Sequence, residues 1–164
     1  MNTLVNRASS LKAKKQKGFT LAELVIVLVI IGILTAVVYP RVTSQRDTAK
    51  VDGALTQVQT LLEGAIKYGP RNGDKTGIDM TNLAARGLVP EEWGTGAAAG
   101  TSVNPWNGDI TVTVNGADPT AVDVTFTGID DDEAGLLFED EATYNGAVTA
   151  TYAAGTLTAT YKVG

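Results

Sequence analysis

Hydrophobic and polar positions divide the 164-residue chain into stretches of different period. Residues 19–39 read FTLAELVIVLVIIGILTAVVY, apolar on every face, with Glu23 as the one ionisable side chain. A helix over this run rises about 1.5 Å per residue and spans roughly 30 Å, the thickness of a bilayer's hydrocarbon core. Beyond Pro40, the apolar residues Val51, Leu55, Val58, Leu62 and Ala65 recur at alternating spacings of four and three. That stripe predicts an amphipathic helix. Tyr68, Gly69 and Pro70 form a stop signal. One helix over residues 19–68 is the economical reading, its first half apolar all round and its second half apolar on one face.

From residue 109 the period becomes two. Ile110, Val112 and Val114 alternate with Thr111 and Thr113; Val122, Val124 and Phe126 alternate with Asp123 and Thr125. Residues 147–152 and 156–163 repeat the pattern around Ala153, Ala154 and Gly155. Four short strands rich in Thr, Val and Tyr predict an antiparallel sheet of two hairpins. Its apolar face needs a cover, and the Val51 to Ala65 stripe is the long helical face that can supply one. Between the helix and the sheet, residues 69–108 are rich in Gly and Ala, with a flexible GTGAAAGTS at 94–102. A short helix is expected around Met80 to Arg86, with Asp79 or Thr81 as cap and Gly87 as stop. Asn104-Pro105-Trp106-Asn107-Gly108 is a turn with one large apolar anchor, and Trp93 and Trp106 are packing anchors. Residues 130–142 are acidic around Leu136, Leu137 and Phe138, and fit a short helix or a tight loop.

Composition removes several chemistries. The chain has no His and no Cys, so a zinc finger, a thiol nucleophile, a His-based triad and a disulfide scaffold are excluded. No Gly-rich phosphate loop follows a strand, and no Ser sits in a nucleophile elbow. No enzyme and no cofactor are expected. Net charge is -5, which disfavours direct nucleic-acid binding. Its distribution is more telling. Residues 1–18 hold Arg7, Lys12, Lys14, Lys15 and Lys17 and no acid, whereas residues 19–164 hold 8 basic and 18 acidic side chains. A basic head directly before an apolar run keeps that end cytoplasmic and exports the rest. An ordinary secretory signal peptide would have a shorter apolar core and a small-residue cleavage site after it.

Lys17-Gly18-Phe19-Thr20-Leu21-Ala22-Glu23-Leu24, after a short basic leader and before a long apolar run, resembles the prepilin signature of type IV pilins and their pseudopilin relatives. The close match covers residues 17–46, and the helix-then-sheet layout is similar over the rest. The resemblance implies an α+β pilin fold. It implies a leader, residues 1–18, that a membrane prepilin peptidase removes between Gly18 and Phe19, with N-methylation of the new Phe19 amine by the same enzyme. Residues 19–46 would be the transmembrane and filament-core half of the helix. Residues 47–164 would be the exported head: helix 47–68, a loop over 69–108 and the sheet over 109–164. The implied function is a structural subunit of a type IV pilus-like filament. A type II secretion pseudopilin and a monomeric membrane-anchored binding domain are the alternatives. The implied partners are copies of the chain in a helical homopolymer, the peptidase, the inner-membrane assembly machinery and, before assembly, lipid. The implied location is the bacterial inner membrane first and the extracellular pilus afterwards.

The residues bear these roles physically. Gly18 has no side chain, so an extended backbone can enter a peptidase cleft closely. Cleavage makes a cationic amine at Phe19, and Glu23 suits a neighbouring subunit's amine inside a packed bundle. Such a pair fixes register rather than adding net stability, because desolvation offsets the Coulomb gain. Gly32 and Pro40 have two readings: ordinary features of a membrane helix and its exit, or a stretch that loosens on entering a filament core. Many pilins close a C-terminal loop with a disulfide, which this chain cannot do. Asp130, Asp131, Asp132 and Glu133 offer oxygen ligands of the kind calcium takes, but their spacing fits no EF-hand loop and a solvated charged face is the plainer reading.

Overall fold

The computed structural model describes residues 18–69, 73–94, 99–101 and 103–164. The basic leader up to Lys17, Pro70 of the stop signal and residues 95–98 and 102 of the Gly/Ala stretch lie outside them. Helix α1 (Leu21–Lys67) is followed by α2 (Met80–Ala85), a 3-10 turn (Glu91–Trp93), strands β1 (Ile110–Val114) and β2 (Ala121–Phe126), helix α3 (Asp132–Tyr144), and strands β3 (Thr149–Ala153) and β4 (Thr156–Lys162). The architecture is α+β, as the patterning predicts. The chain divides into two compact units after Pro40. In the head, Lys50 Nζ lies 3.4 Å from Asp130, and Arg46 and Asp47 line a surface groove with Asp130 and Asp131. Gly32 and Pro40 both lie inside α1, and neither ends it.

Within the head, residues 51–67 of α1 and the inner face of the sheet share one buried apolar cluster. The line α1 buries runs through Val51, Ala54, Val58, Leu61 and Ala65. Leu55 and Leu62, placed on the stripe by spacing, are only partly buried beside it. The shift arises because two neighbouring apolar lines exist on this helix, and sequence spacing cannot say which of them meets the sheet. Gly64 helps to seat α1. A Cβ there would approach the Leu88 carbonyl oxygen at 2.9 Å, so only glycine lets the segment after α2 pack this closely. Asp79 is the α2 cap, accepting from Asn82 N at 2.6 Å. Lys75, almost fully buried, donates from Nζ to Tyr68 O at 2.9 Å and Ile66 O at 3.5 Å. A cation thus meets the carbonyls left open where α1 ends.

The sheet order is β1-β2-β4-β3, antiparallel throughout. The two hairpins form as expected, and β2 pairing with β4 joins them. The β3–β4 connection has two residues, Ala154 (φ 48) and Gly155 (φ 77), the left-handed pair that a tight hairpin turn requires. Helix α3, the segment left open between helix and loop, is a second cover for the sheet. It buries Ala134, Phe138 and Ala142 over β3 and β4. Phe138 packs edge-on to Phe126 at 5.1 Å and stacks on Trp106 at 5.7 Å. Gly135 admits the Tyr152 ring, which any Cβ would strike. The helix ends in a Schellman turn: Gly146 (φ 97) donates to Thr143 O at 3.2 Å and Ala147 to Ala142 O at 3.0 Å, closing the last carbonyls.

Asn104 sits buried at the centre of the predicted turn. It accepts from Trp106 N at 2.9 Å and Gly108 N at 2.8 Å, and donates to Thr127 O at 2.7 Å and Asp109 O at 3.2 Å. Truncation leaves several buried groups without partners, so Asn104→Ala is expected to cost about 3 kcal/mol, measured by urea unfolding of the full chain in detergent. Tyr161 is buried, and its hydroxyl has no partner among the described residues; burial pushes the phenol up to about 12. The folded state therefore keeps this proton while an unfolded phenol loses it near about pH 10. The contribution is fully present below about pH 10 and is lost as pH rises toward about 12. Tyr161→Phe is expected to flatten the alkaline fall in stability across that window and to leave stability at neutral pH unchanged or higher, read by thermal melts from pH 8 to 12.

Candidate functional site

The start of α1 is built by Thr20 and Glu23. Thr20 N and Thr20 Oγ1 donate to Glu23 Oε2 at 2.7 and 2.9 Å, and Glu23 N donates to Thr20 Oγ1 at 3.2 Å. This is a reciprocal capping box, in which two open donors of the first turn are satisfied. Its signal, Thr-x-x-Glu before an apolar run, stands in the sequence. The structure thus gives Glu23 a local task beyond the assembly role considered for it.

After the box, Leu21–Tyr39 has a mean hydropathy of 3.0 and none of it is buried. It is long and apolar enough to cross a membrane. Its other side-chain polar group near the middle, Thr35, donates from Oγ1 to Ile31 O at 2.8 Å. Glu23, Thr20 and Thr35 are therefore all satisfied within one helix, which is the condition a surrounding without water imposes. A Cβ at Gly18 or at Gly32 would meet nothing within 4 Å. The folding of this chain does not itself demand glycine at either position.

The acidic segment of the head is employed locally. Asp131 caps α3, accepting from Glu133 N at 2.8 Å and Ala134 N at 3.4 Å. Asp130 pairs with Lys50. Asp132 accepts from the Tyr152 hydroxyl at 2.8 Å, a bond that raises the phenol above its ordinary range. Glu139 accepts from Tyr152 N at 2.9 Å and so covers an open donor on the edge strand β3. Among the described residues no group of three or more carboxylates is gathered where a metal ion could sit. Trp93 and Trp106 are buried in the core, as expected of anchors.

Comparison with known proteins completes the picture. The family described as the prokaryotic N-terminal methylation motif matches residues 13–39, and the family described as PilS N terminal matches residues 42–163. The type II secretion system core protein G of Vibrio cholerae is 30% identical over 129 residues, 76% of this chain and 88% of the relative. The chain belongs to the type IV pilin-like family. Among its pilin relatives, the type IV major alpha-pilin of Moraxella bovis is 36% identical over 85 residues, 49% of this chain and 52% of the relative. The type II secretion system core protein G of Pseudomonas aeruginosa is 40% identical over 58 residues, 35% of this chain. This pilin-like chain spans 41% of that relative's length and about half of the Moraxella pilin's. No solved structure matches it significantly.

The pilin-like head offers a direct check on its α3 cap. Asp131→Ala removes the acceptor for two amides, and a loss of about 1 kcal/mol is expected. Asp131→Asn is expected to recover most of it, both read from unfolding midpoints.

Proposed function

We propose that the chain is the structural subunit of a type IV pilus-like surface filament. It enters the inner membrane by its apolar helix, with the basic leader in the cytoplasm. A prepilin peptidase cuts between Gly18 and Phe19 and methylates the Phe19 amine. The subunit then exchanges lipid for the helices of its own copies, and the product is an extracellular pilus. The chain is not an enzyme. It needs no cofactor, and it meets the assembly machinery while still in the membrane.

The observation that carries this reading is the wholly exposed Leu21–Tyr39 run, in which Glu23 and Thr35 are hydrogen-bonded within the helix. Water cannot stabilise such a surface, and lipid and like helices both can. The family membership and the relatives named as pilins support the same role. Gly18 and Gly32 fit it too. Since the chain's own packing leaves room at both, their small size serves contacts with other molecules: a peptidase at Gly18, a neighbouring helix at Gly32. Glu23 then has two states, capping Thr20 within its own chain or pairing with the Phe19 amine of a neighbour. Residues near Pro40 lie where the apolar run ends, and a bend there would let copies pack along the filament axis. A pseudopilin of a type II secretion system is the second reading, favoured by the Vibrio cholerae relative that aligns over 88% of its length.

Two substitutions separate capping from assembly. Glu23→Gln keeps the capping box and loses the charge, whereas Glu23→Ala loses both. Both variants are expected to be membrane-inserted and to give few or no filaments in electron micrographs of sheared surface material. Normal filaments from Glu23→Gln would confine Glu23 to capping. Unmodified protein that stays monomeric and still begins at Met1 would overturn the filament reading. Secretion defects without surface filaments would favour the pseudopilin.

A further inference from the structure

An asparagine followed by glycine is a place where a chain can modify itself, because a main-chain amide with no side chain to shield it sits beside a side-chain amide carbon. Three such pairs lie among the described residues: Asn107–Gly108, Asn115–Gly116 and Asn145–Gly146. The fold ties down two of the three glycine amides. Gly108 N donates to Asn104 Oδ1 at 2.8 Å, and Gly146 N donates to Thr143 O at 3.2 Å. Gly116 N makes no hydrogen bond among the described residues, and Gly116 is exposed in the turn between β1 and β2. Nor does the fold demand glycine there: a Cβ would meet nothing within 4 Å, and Gly116 is not among the glycines of positive φ.

The Asn115 side chain is held as an activated carbonyl. Its Oδ1 accepts from Ala117 N and Asp118 N, each at 3.0 Å. Its Nδ2 donates to Asp123 Oδ1 at 2.9 Å and Oδ2 at 3.1 Å. Two amides aimed at one carbonyl oxygen stabilise the negative charge that forms there when the carbon is attacked. A carboxylate at the amide nitrogen stabilises the positive charge that this nitrogen gains as it leaves. Thr160 Oγ1 donates to Asp123 Oδ1 at 2.6 Å and fixes that carboxylate in place. Asn145 Nδ2 donates to Glu141 O at 2.7 Å, but among the described residues neither Asn107 nor Asn145 has a donor on its Oδ1. Free nucleophile and activated carbonyl therefore coincide at Asn115–Gly116 and not at the other two pairs.

We propose that Asn115 is a self-modification site, at which the folded head converts its own asparagine to aspartate and isoaspartate. Gly116 N attacks Asn115 Cγ, and Oδ1 carries the resulting negative charge between Ala117 N and Asp118 N. The Cγ–Nδ2 bond then breaks. The proton lost from Gly116 N passes through solvent to Nδ2, which leaves as ammonia, and a cyclic imide remains. Water adds at either imide carbonyl and gives aspartate or isoaspartate. Overall one water enters and one ammonia leaves, with no oxidant or cofactor. The new carboxylate faces Asp123 where an amide stood, and like charges so placed repel. The isoaspartate form also inserts a Cβ into the main chain beside the Asn115 N to Ala121 O bond of 2.9 Å that closes the turn. The β1–β2 turn thus loosens as the protein ages.

The test is incubation of the full chain in detergent for days at mildly alkaline pH, with conversion at each asparagine read by peptide mass spectrometry. Asn115 is expected to convert roughly tenfold or more faster than Asn107 and Asn145. In concentrated urea the three are expected to convert at similar rates. Equal rates in the folded chain would overturn the proposal. So would the same lead for Asn115 in urea, because the fold would then play no part. Gly116→Ala fits the open space at that position, and is expected to slow conversion at Asn115 roughly tenfold with the melting temperature unchanged. Undiminished conversion in Gly116→Ala would rule out attack by the residue 116 amide. None of these readouts depends on filament assembly.

Discussion

The organising constraint is an apolar helix that its own chain leaves bare. Leu21–Tyr39 buries nothing against the protein. Each Leu, Ile or Val held in water forgoes roughly 1.5–3 kcal/mol of burial, so the run forgoes on the order of tens of kcal/mol. The head's core is filled by another set of residues. Cover for the bare helix must come from outside the chain.

The head answers a different problem. A four-stranded sheet presents one apolar face, and two helices share the work of covering it. The 51–67 portion of α1 supplies a line of small and medium side chains, and α3 supplies Phe138 at the meeting point of Trp106 and Phe126. No disulfide closes the C-terminal region. Its place is taken by short-range closures: the Asp131 cap, the Schellman turn at Gly146, the Glu139 carboxylate on the edge of β3 and the two-residue hairpin at Ala154 and Gly155. Each is a local bond, and together they hold α3 and the second hairpin.

Charge is spent locally as well. Most of the acids that look like a ligand cluster in the sequence are single-purpose acceptors in the fold, each aimed at a different donor.

The sequence by itself determined the membrane-length run, the amphipathic continuation, the two hairpins and a short helix near Met80, its cap left between Asp79 and Thr81. These depend on period and on local caps, which are properties of neighbouring residues. The Thr20–Glu23 box was legible in the same way, as a spacing of three before an apolar run. Tertiary structure alone decided that β2 pairs with β4, that Ala54 and Leu61 rather than Leu55 and Leu62 face the sheet, and that residues 132–144 form a helix over β3 and β4. Those outcomes turn on which surfaces meet, and residues far apart in the chain fix them. Lys75 makes the point most sharply: a lone lysine in a polar loop is buried because the open carbonyls of α1 end beside it.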